Sequence, residues 1–325
     1  MLLEVETLGI ALPTKEGPRQ IVREVSFALE PGGTLGVVGE SGSGKTMTAL
    51  ALMGLLPDGA IVSGRALFDG RDLVGLGEAQ MQRLRGDRVA MIFQEPMTAL
   101  NPLQAIGRQI AEPLILHRGL ARAAAAAEAV RLLDRVGLPD PARRARAYPH
   151  ELSGGQRQRA MIAMALSCAP RLLIADEPTT ALDVTVQAQI LDLIADLRAQ
   201  ADMALILVSH DLAVVAQNCR RVLVMYGGVT MESGAAADVL ARPAHPYTQA
   251  LLDARPRVGA PRRERLRAIP GAASDAGAAG RGCPFAGRCP LTIAACGEAL
   301  PAMVAVGAGH AARCIRLDAA ARRPA

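Results

Sequence analysis

The chain has 325 residues, a formal net charge of +5, 50% hydrophobic residues and only 2% aromatic ones, with no Trp. This length suits one large domain plus a smaller one, and the core has to be built from Leu, Val, Ile, Ala and Met. Arginines without interleaved aromatics argue against a nucleic-acid groove, no apolar run nears the roughly 18–20 residues that span a bilayer, and the N-terminus lacks a basic-then-apolar leader, so a cytosolic chain that meets a membrane only through a partner is expected.

The first informative elements lie between residues 34 and 56. "TLGVV" reads as a buried strand and "TMTALALMGLL" as an apolar helix, and "GESGSGKT" joins them. Gly39-x-x-x-x-Gly44-Lys45-Thr46 fits the phosphate-binding loop. Gly39, Gly42 and Gly44 allow unusual backbone angles and close approach, while Ser41 and Ser43 add little bulk. Successive N–H groups and the helix start then face phosphate oxygens. Lys45 is expected on the β- and γ-phosphates of ATP and Thr46 on Mg2+. Of 36 Lys plus Arg residues only Lys15 and Lys45 are lysines. In so Arg-rich a chain, a retained Lys points to a place where a compact ammonium is needed.

Three later apolar runs end alike. "VAMIF" runs into Gln94, "RLLIA" into Asp176 and Glu177, and "MALILVS" into His210. Ligands of a parallel α/β sheet bind beyond the carboxyl ends of its strands, so these endings and the glycine loop are expected to converge on one site. Asp176 suits a Mg2+ ligand. Glu177 is placed to polarise the attacking water, Gln94 to touch metal and water, and His210 to reach the γ-phosphate. Residues from about 95 to 165 read as helical, with "RAAAAAEAVRLLDRVGLPD" stopped by Gly137 and Pro139. "LSGGQRQR" opens a helix that Ser153 can cap, which makes a second anion site. Two anion sites for one nucleotide make sense if the second faces ATP held by another subunit.

Residues 241–325 read as an appendix. Within it, "PGAASDAGAAGRG" has the composition of a flexible linker. The chain has six cysteines. Cys168 and Cys219 sit in apolar contexts and read as buried small residues. Cys283, Cys289, Cys296 and Cys314 crowd the tail, and disulfides are not expected in a reducing cytosol. Four thiolates suit zinc or an iron–sulfur cluster, or they remain free thiols. No pair has the two-to-four-residue spacing usual for zinc.

"LSGGQ", then "LLIADEP", "ALD" and "SHD", resembles the ATP-binding subunit of ABC transporters over about residues 1–240. The resemblance implies an α/β P-loop NTPase fold, with a helical subdomain at about 95–165 and a small Cys-containing extension at 241–325. It also implies a head-to-tail dimer in which Ser153, Gly155 and Gln156 bind the partner's ATP and Asp183 lines the seam. "QEPMTALNP", "DEPTTALDVTVQAQIL", "HPYTQALLDARP" and "GCPFAGRCP" resemble the oligopeptide/dipeptide importer group more narrowly.

That narrower resemblance implies an ATPase on the cytoplasmic face of the inner membrane, driving peptide import. Its partners would be a second nucleotide subunit, two membrane permease subunits and an extracytoplasmic binding protein. It also favours a [4Fe–4S] cluster on the four tail cysteines over zinc. An ATPase serving a nickel or other small-solute importer, or a non-transport ABC ATPase, remains the alternative. The family stacks an aromatic on adenine near the N-terminus. Here no aromatic precedes Phe27, and Leu12 or Val22 is expected to pack there instead.

Overall fold

The computed structural model describes residues 1–180, 183–254, 269–271 and 281–321. Ala181 and Leu182 of the "ALD" motif, and most of the Gly/Ala-rich stretch read as a linker, lie outside these residues.

Two sheets carry the fold. β1 (Leu3–Leu12) and β2 (Arg19–Leu29) form an antiparallel hairpin, and β4 (Ile61–Phe68) and β5 (Arg71–Asp72) extend it on the β1 side. The larger sheet is built on β3 (Thr34–Val38), β6 (Val89–Ile92), β7 (Leu172–Asp176), β8 (Ala204–Ser209) and β9 (Arg221–Tyr226). These five run parallel in the order β9-β3-β8-β7-β6. Every residue of β3, β6, β7 and β8 is buried. That is why these strands read as continuous apolar runs, as a sheet covered on both faces requires.

Their side chains alternate between two cores. Leu35, Val37, Leu172, Ile174, Ile206 and Val208 face one core with the small sheet and α1 (Lys45–Met53). Val38, Leu173, Ala175, Leu205 and Leu207 face the other. α2 (Glu78–Leu84) precedes β6 on the first side. Between β6 and β7 come α3 (Pro96–Ala99), α4 (Ile106–Arg118), α5 (Arg122–Arg135), α6 (Pro141–Arg144) and α7 (Gly154–Ala165). α4 and α5 pack together, and α7 lies against both. α8 (Val184–Ala201) leads from β7 to β8, and α9 (Leu212–Asn218) from β8 to β9.

The C-terminal part is not separate from this architecture. β10 (Val229–Ala235) returns antiparallel on β9 and is followed by α10 (Ala236–Ala241) and α11 (Pro246–Asp253). The hairpin of β11 (Val304–Gly307) and β12 (His310–Ala312) then adds to the β10 edge, making an eight-stranded sheet among the described residues. α12 (Leu317–Ala321) follows it. Phe285, Cys283 and Cys296 are buried in the same core as Tyr226 and Tyr247. The sequence suggests a tail too poor in large apolar residues for a core. It escapes that limit by sharing the core of the main sheet.

A fully buried carboxyl group joins the pieces. Glu232 on β10 is 0% exposed. Its Oε1 accepts from the Ala244 N–H at 2.8 Å and lies 2.7 Å from His310 Nε2, while its Oε2 accepts from the His245 N–H at 2.8 Å. One side chain thus holds β12 and the start of α11 to β10. Glu232→Ala would strand several buried polar groups, so we expect it to destabilise the chain by about 3 kcal/mol. Denaturant unfolding checks this, and a loss below about 1 kcal/mol would assign the junction to apolar packing alone.

Candidate nucleotide site

The glycine loop has the shape its spacing predicts. It leaves β3 at Gly39 and enters α1 at Lys45, with Gly42 at φ +78° and Gly44 at φ +95°. At Gly44 the helix has no side-chain cap, so its first N–H groups are left for a ligand. A Cβ on Gly44 would come within 3.0 Å of Val22 Cγ2, so Val22 on β2 supports the loop from beneath. Val22 is fully buried. The expectation that it packs against adenine is thereby corrected, and of the two candidates only half-buried Leu12 has any exposed surface.

Lys45 is 5% exposed and donates from Nζ to the Gly39 carbonyl at 2.8 Å and the Glu40 carbonyl at 3.0 Å. Burial holds its pKa below the usual lysine range, opposed by the carboxylates of Glu177, Asp176 and Glu40. Asp176 ends β7 at 2% exposure, and its Oδ1 is buried without a hydrogen-bond partner. Burial pushes the Asp176 carboxyl upward, and the neighbouring Thr46 hydroxyl pulls the other way. A buried carboxylate oxygen with no partner, beside a hydroxyl and the phosphate loop, suits a divalent cation. The residues present therefore fit Mg2+ at Asp176 and Thr46.

Glu177 is the meeting point of the other strand ends. It adopts φ +45°, a left-handed conformation uncommon for a non-glycine residue, held by its N–H donating to the Val208 carbonyl at 3.0 Å. Gln94 Nε2 donates to Glu177 Oε2 at 3.3 Å, the Thr180 hydroxyl donates to the same oxygen at 2.9 Å, and His210 Nδ1 lies 3.4 Å from it. Gln94 and His210 are exposed, so the cluster opens to solvent on one side.

The "LSGGQ" residues sit elsewhere in the chain. α7 packs against α3, α4, α5 and β6, whereas α1 packs on β1, β2 and β7. Ser153 caps α7 reciprocally: its Oγ accepts the Gln156 N–H at 3.4 Å, and its own N–H donates to Gln156 Oε1 at 3.1 Å. Ser153 and Gly154 are exposed, and Gly155 and Gln156 are half-buried. Asp183 is exposed and caps α8 by accepting the Val186 N–H at 2.9 Å.

Four residues near the site were not singled out by the sequence reading. Thr180 follows the "DEP" motif and could have been suspected as a side-chain partner of Glu177. Gln158 is buried and donates from Nε2 to the Pro178 carbonyl at 2.6 Å, tying α7 to the loop that carries Glu177. Tyr247 Oη accepts the Glu40 N–H at 2.9 Å, and Arg288 forms an ion pair with the Glu40 carboxylate at 2.6 Å. Contacts between residues more than 200 positions apart leave no mark in local sequence.

Cys168 and Cys219 are buried, as their contexts suggest, and burial pushes the Cys219 thiol up to about 12. The tail cysteines Cys283, Cys289, Cys296 and Cys314 line one small cavity with His245 and Phe285. Among the described residues, no group of three or more His, Cys, Asp or Glu side chains is arranged to hold a metal ion. This arrangement therefore shows a site for neither the zinc ion nor the iron–sulfur cluster expected on these four cysteines. The sulfurs of Cys289 and Cys314 accept the backbone N–H groups of Leu291 and Arg316, each two residues on. Burial raises the thiols of Cys283, to about 11, and Cys314, and neighbouring cysteines add to both shifts.

This geometry defines a nucleotide-binding cassette, and comparison with known proteins places it. The "ABC transporter" family matches residues 22–180, and the "Oligopeptide/dipeptide transporter, C-terminal region" family matches residues 231–296. The chain is 49% identical over 316 residues to the oligopeptide transport ATP-binding protein OppD of Salmonella typhimurium, covering 97% of this chain and 94% of that one. It is 50% identical over 300 residues to OppD of Escherichia coli strain K12, covering 92% and 89%. Among solved structures, the ATP-binding cassette MJ0796 bound to ADP and Pi aligns with TM-score 0.64 at 26% identity, over 72% of this chain and 98% of that one. The chain belongs to the ABC transporter family, in the branch whose members carry the oligopeptide/dipeptide transporter C-terminal region. No helix among the described residues is long and apolar enough to cross a membrane.

Thr180→Val removes one donor from Glu177 Oε2 and leaves the phosphate loop untouched. We expect kcat for ATP hydrolysis to fall about three- to tenfold, with the ATP dissociation constant within twofold. Steady-state hydrolysis and equilibrium binding together check this; an unchanged kcat would remove Thr180 from the site.

Proposed function

We propose that this chain is the ATP-hydrolysing subunit of a peptide importer, peripheral to the cytoplasmic face of the membrane. The observation that carries the reading is the convergence of Gln94, Thr180 and His210 on Glu177, next to Asp176 and the loop of Lys45. The N–H groups of Gly39, Ser41, Gly42, Ser43 and Gly44 cradle the phosphates, and Lys45 binds the β- and γ-phosphoryl oxygens. Asp176 and Thr46 hold Mg2+, whose charge offsets that of the phosphates, with Gln94 beside it. Glu177 accepts a hydrogen bond from the attacking water and polarises it, while Gln94 and Thr180 fix the carboxylate and His210 contacts the γ-phosphate.

Each site is completed by a second nucleotide subunit, which contributes Ser153, Gly155 and Gln156 to the facing ATP, with Asp183 along the seam. The exposed cap at Ser153, on a helix that packs on other elements than α1 does, supports this. Two permease subunits and an extracytoplasmic binding protein make up the rest, as the identity to OppD proteins supports. The four tail cysteines hold a [4Fe–4S] cluster. Support comes from their placement around one cavity and from the Leu291 and Arg316 N–H groups, which donate to the sulfurs of Cys289 and Cys314.

In the assembled complex, Glu177→Gln is expected to leave ATP binding intact, to reduce hydrolysis by at least about 100-fold and to stop peptide uptake into vesicles. Near-normal turnover would remove Glu177 from the water-polarising role. Ser153→Arg is expected to abolish hydrolysis while nucleotide still binds; unimpaired hydrolysis would refute the shared site. ATPase stimulation by a loaded peptide-binding protein, but not by a nickel-loaded one, tests the substrate class. Anaerobic purification with iron and sulfide analysis tests the cluster, and iron-free protein with four reactive thiols would refute it.

A further inference from the structure

The phosphate loop carries a carboxylate that its task does not explain. Glu40 follows Gly39 directly, and its own carbonyl is one of the two that hold Lys45. A negative charge there opposes the binding of a polyphosphate, since like charges at this range repel. The molecule covers it from an unexpected direction. Arg288 lies in the turn between Cys283 and Cys289, 248 residues away in sequence. Its Nη1 donates to Glu40 Oε2 at 2.6 Å and its Nη2 to Glu40 Oε1 at 3.2 Å, a two-pronged pair.

The remaining donors are also used. Nη1 donates to Tyr226 Oη at 3.0 Å, Nη2 to the Ile269 carbonyl at 3.2 Å and Nε to the Pro270 carbonyl at 2.6 Å. All five guanidinium N–H groups thus have acceptors. The side chain of Arg288 is 7% exposed and that of Glu40 23%. The guanidinium carbon also lies 5.7 Å from the Tyr226 ring centroid.

The surrounding packing makes this a built junction. In a chain with three tyrosines and four phenylalanines, Tyr226, Tyr247 and Phe285 gather at this spot. Their ring centroids are 4.7 to 5.3 Å apart. Tyr247 accepts the Glu40 N–H, and Phe285 comes from the same turn as Arg288. The cysteine-rich extension therefore reaches the Glu40 carboxylate through Arg288, while its Phe285 packs on Tyr247, the residue that accepts the Glu40 N–H.

We propose that Arg288 is a positioning residue for nucleotide binding: it neutralises and fixes Glu40, so that the cysteine-rich extension sets the charge and shape of the phosphate loop. The inference rests on the phosphate-loop reading above. Arg288 does not touch the nucleotide. Its effect passes through Glu40, which makes it separable from a merely structural role.

The test uses the full-length chain, a fluorescent ATP analogue with Mg2+, and one fixed salt concentration. Wild type should bind and Lys45→Ala should not, which checks the phosphate-loop reading independently of Arg288. Arg288→Gln leaves an unpaired carboxylate at the loop and is expected to weaken binding about tenfold. Adding Glu40→Gln removes that charge and should restore affinity to within about threefold of wild type. Slow reaction of the tail cysteines with a thiol reagent confirms that the extension stays folded. If Arg288→Gln is insoluble, Arg288→Lys keeps the charge and loses the fork; a smaller loss of affinity, again reversed by Glu40→Gln, is expected. Unchanged affinity in a folded Arg288 variant, or a loss that Glu40→Gln does not reverse, would overturn the proposal.

Discussion

The buried ammonium of Lys45 is the group around which the rest of this site is arranged. Taking a charge of that kind out of water costs several kcal/mol unless its donors are met. The loop meets two of the three with the carbonyls of Gly39 and Glu40, which bends it back over its own lysine. Carboxylates at Glu177, Asp176 and Glu40 supply the opposing charge. The same carboxylates would repel a nucleotide if left bare. Each is handled differently: Asp176 by a cation-ready oxygen beside Thr46, Glu177 by three polar side chains, and Glu40 by Arg288.

The parallel sheet makes this arrangement possible. β3, β8 and β7 run side by side in register, so Val38, Ser209 and Asp176 reach the same edge, and the residues beyond them share one space. The helical segment is tied into that edge as well. Gln158, buried on α7, holds the Pro178 carbonyl, so the helix that begins at Ser153 is mechanically joined to the loop carrying Glu177. A displacement of α7 cannot leave the Glu177 loop unmoved without breaking a buried hydrogen bond. This gives a physical route between the helical segment and hydrolysis within one chain.

The central site was legible in sequence because its signals are local. A glycine loop between an apolar strand and an apolar helix has few other uses, and a polar residue closing a buried strand marks the ligand edge. Gln94, Asp176, Glu177 and His210 all lie where those runs end. What escaped was set by topology. Nothing near Glu40 in sequence announces Arg288 or Tyr247, since both arrive through the sheet and its C-terminal continuation. Val22 was misassigned because an apolar residue on a half-exposed strand looks the same whether it faces a ligand or the underside of a loop. The neighbouring Gly44 decides which.

The C-terminal segment shows most clearly how scarcity of large side chains shapes this molecule. A small module with one phenylalanine and four cysteines cannot bury enough apolar surface to stand alone. It is held instead by three shared resources: strand pairing of β12 with β10, the carboxyl of Glu232, and the aromatic cluster at Tyr226. Each comes from an element that also borders the nucleotide site or its sheet. Tyr226 ends β9, the direct neighbour of β3, and Tyr247 reaches Glu40 itself. The core on this face therefore runs without a break from the parallel strands into the cysteine-rich turn. A change in how the four cysteines are held must move Phe285 and Arg288, because both lie in the seven-residue span from Cys283 to Cys289. Packing at native density transmits such a shift rather than absorbing it, and the nearest thing for it to move is the phosphate loop.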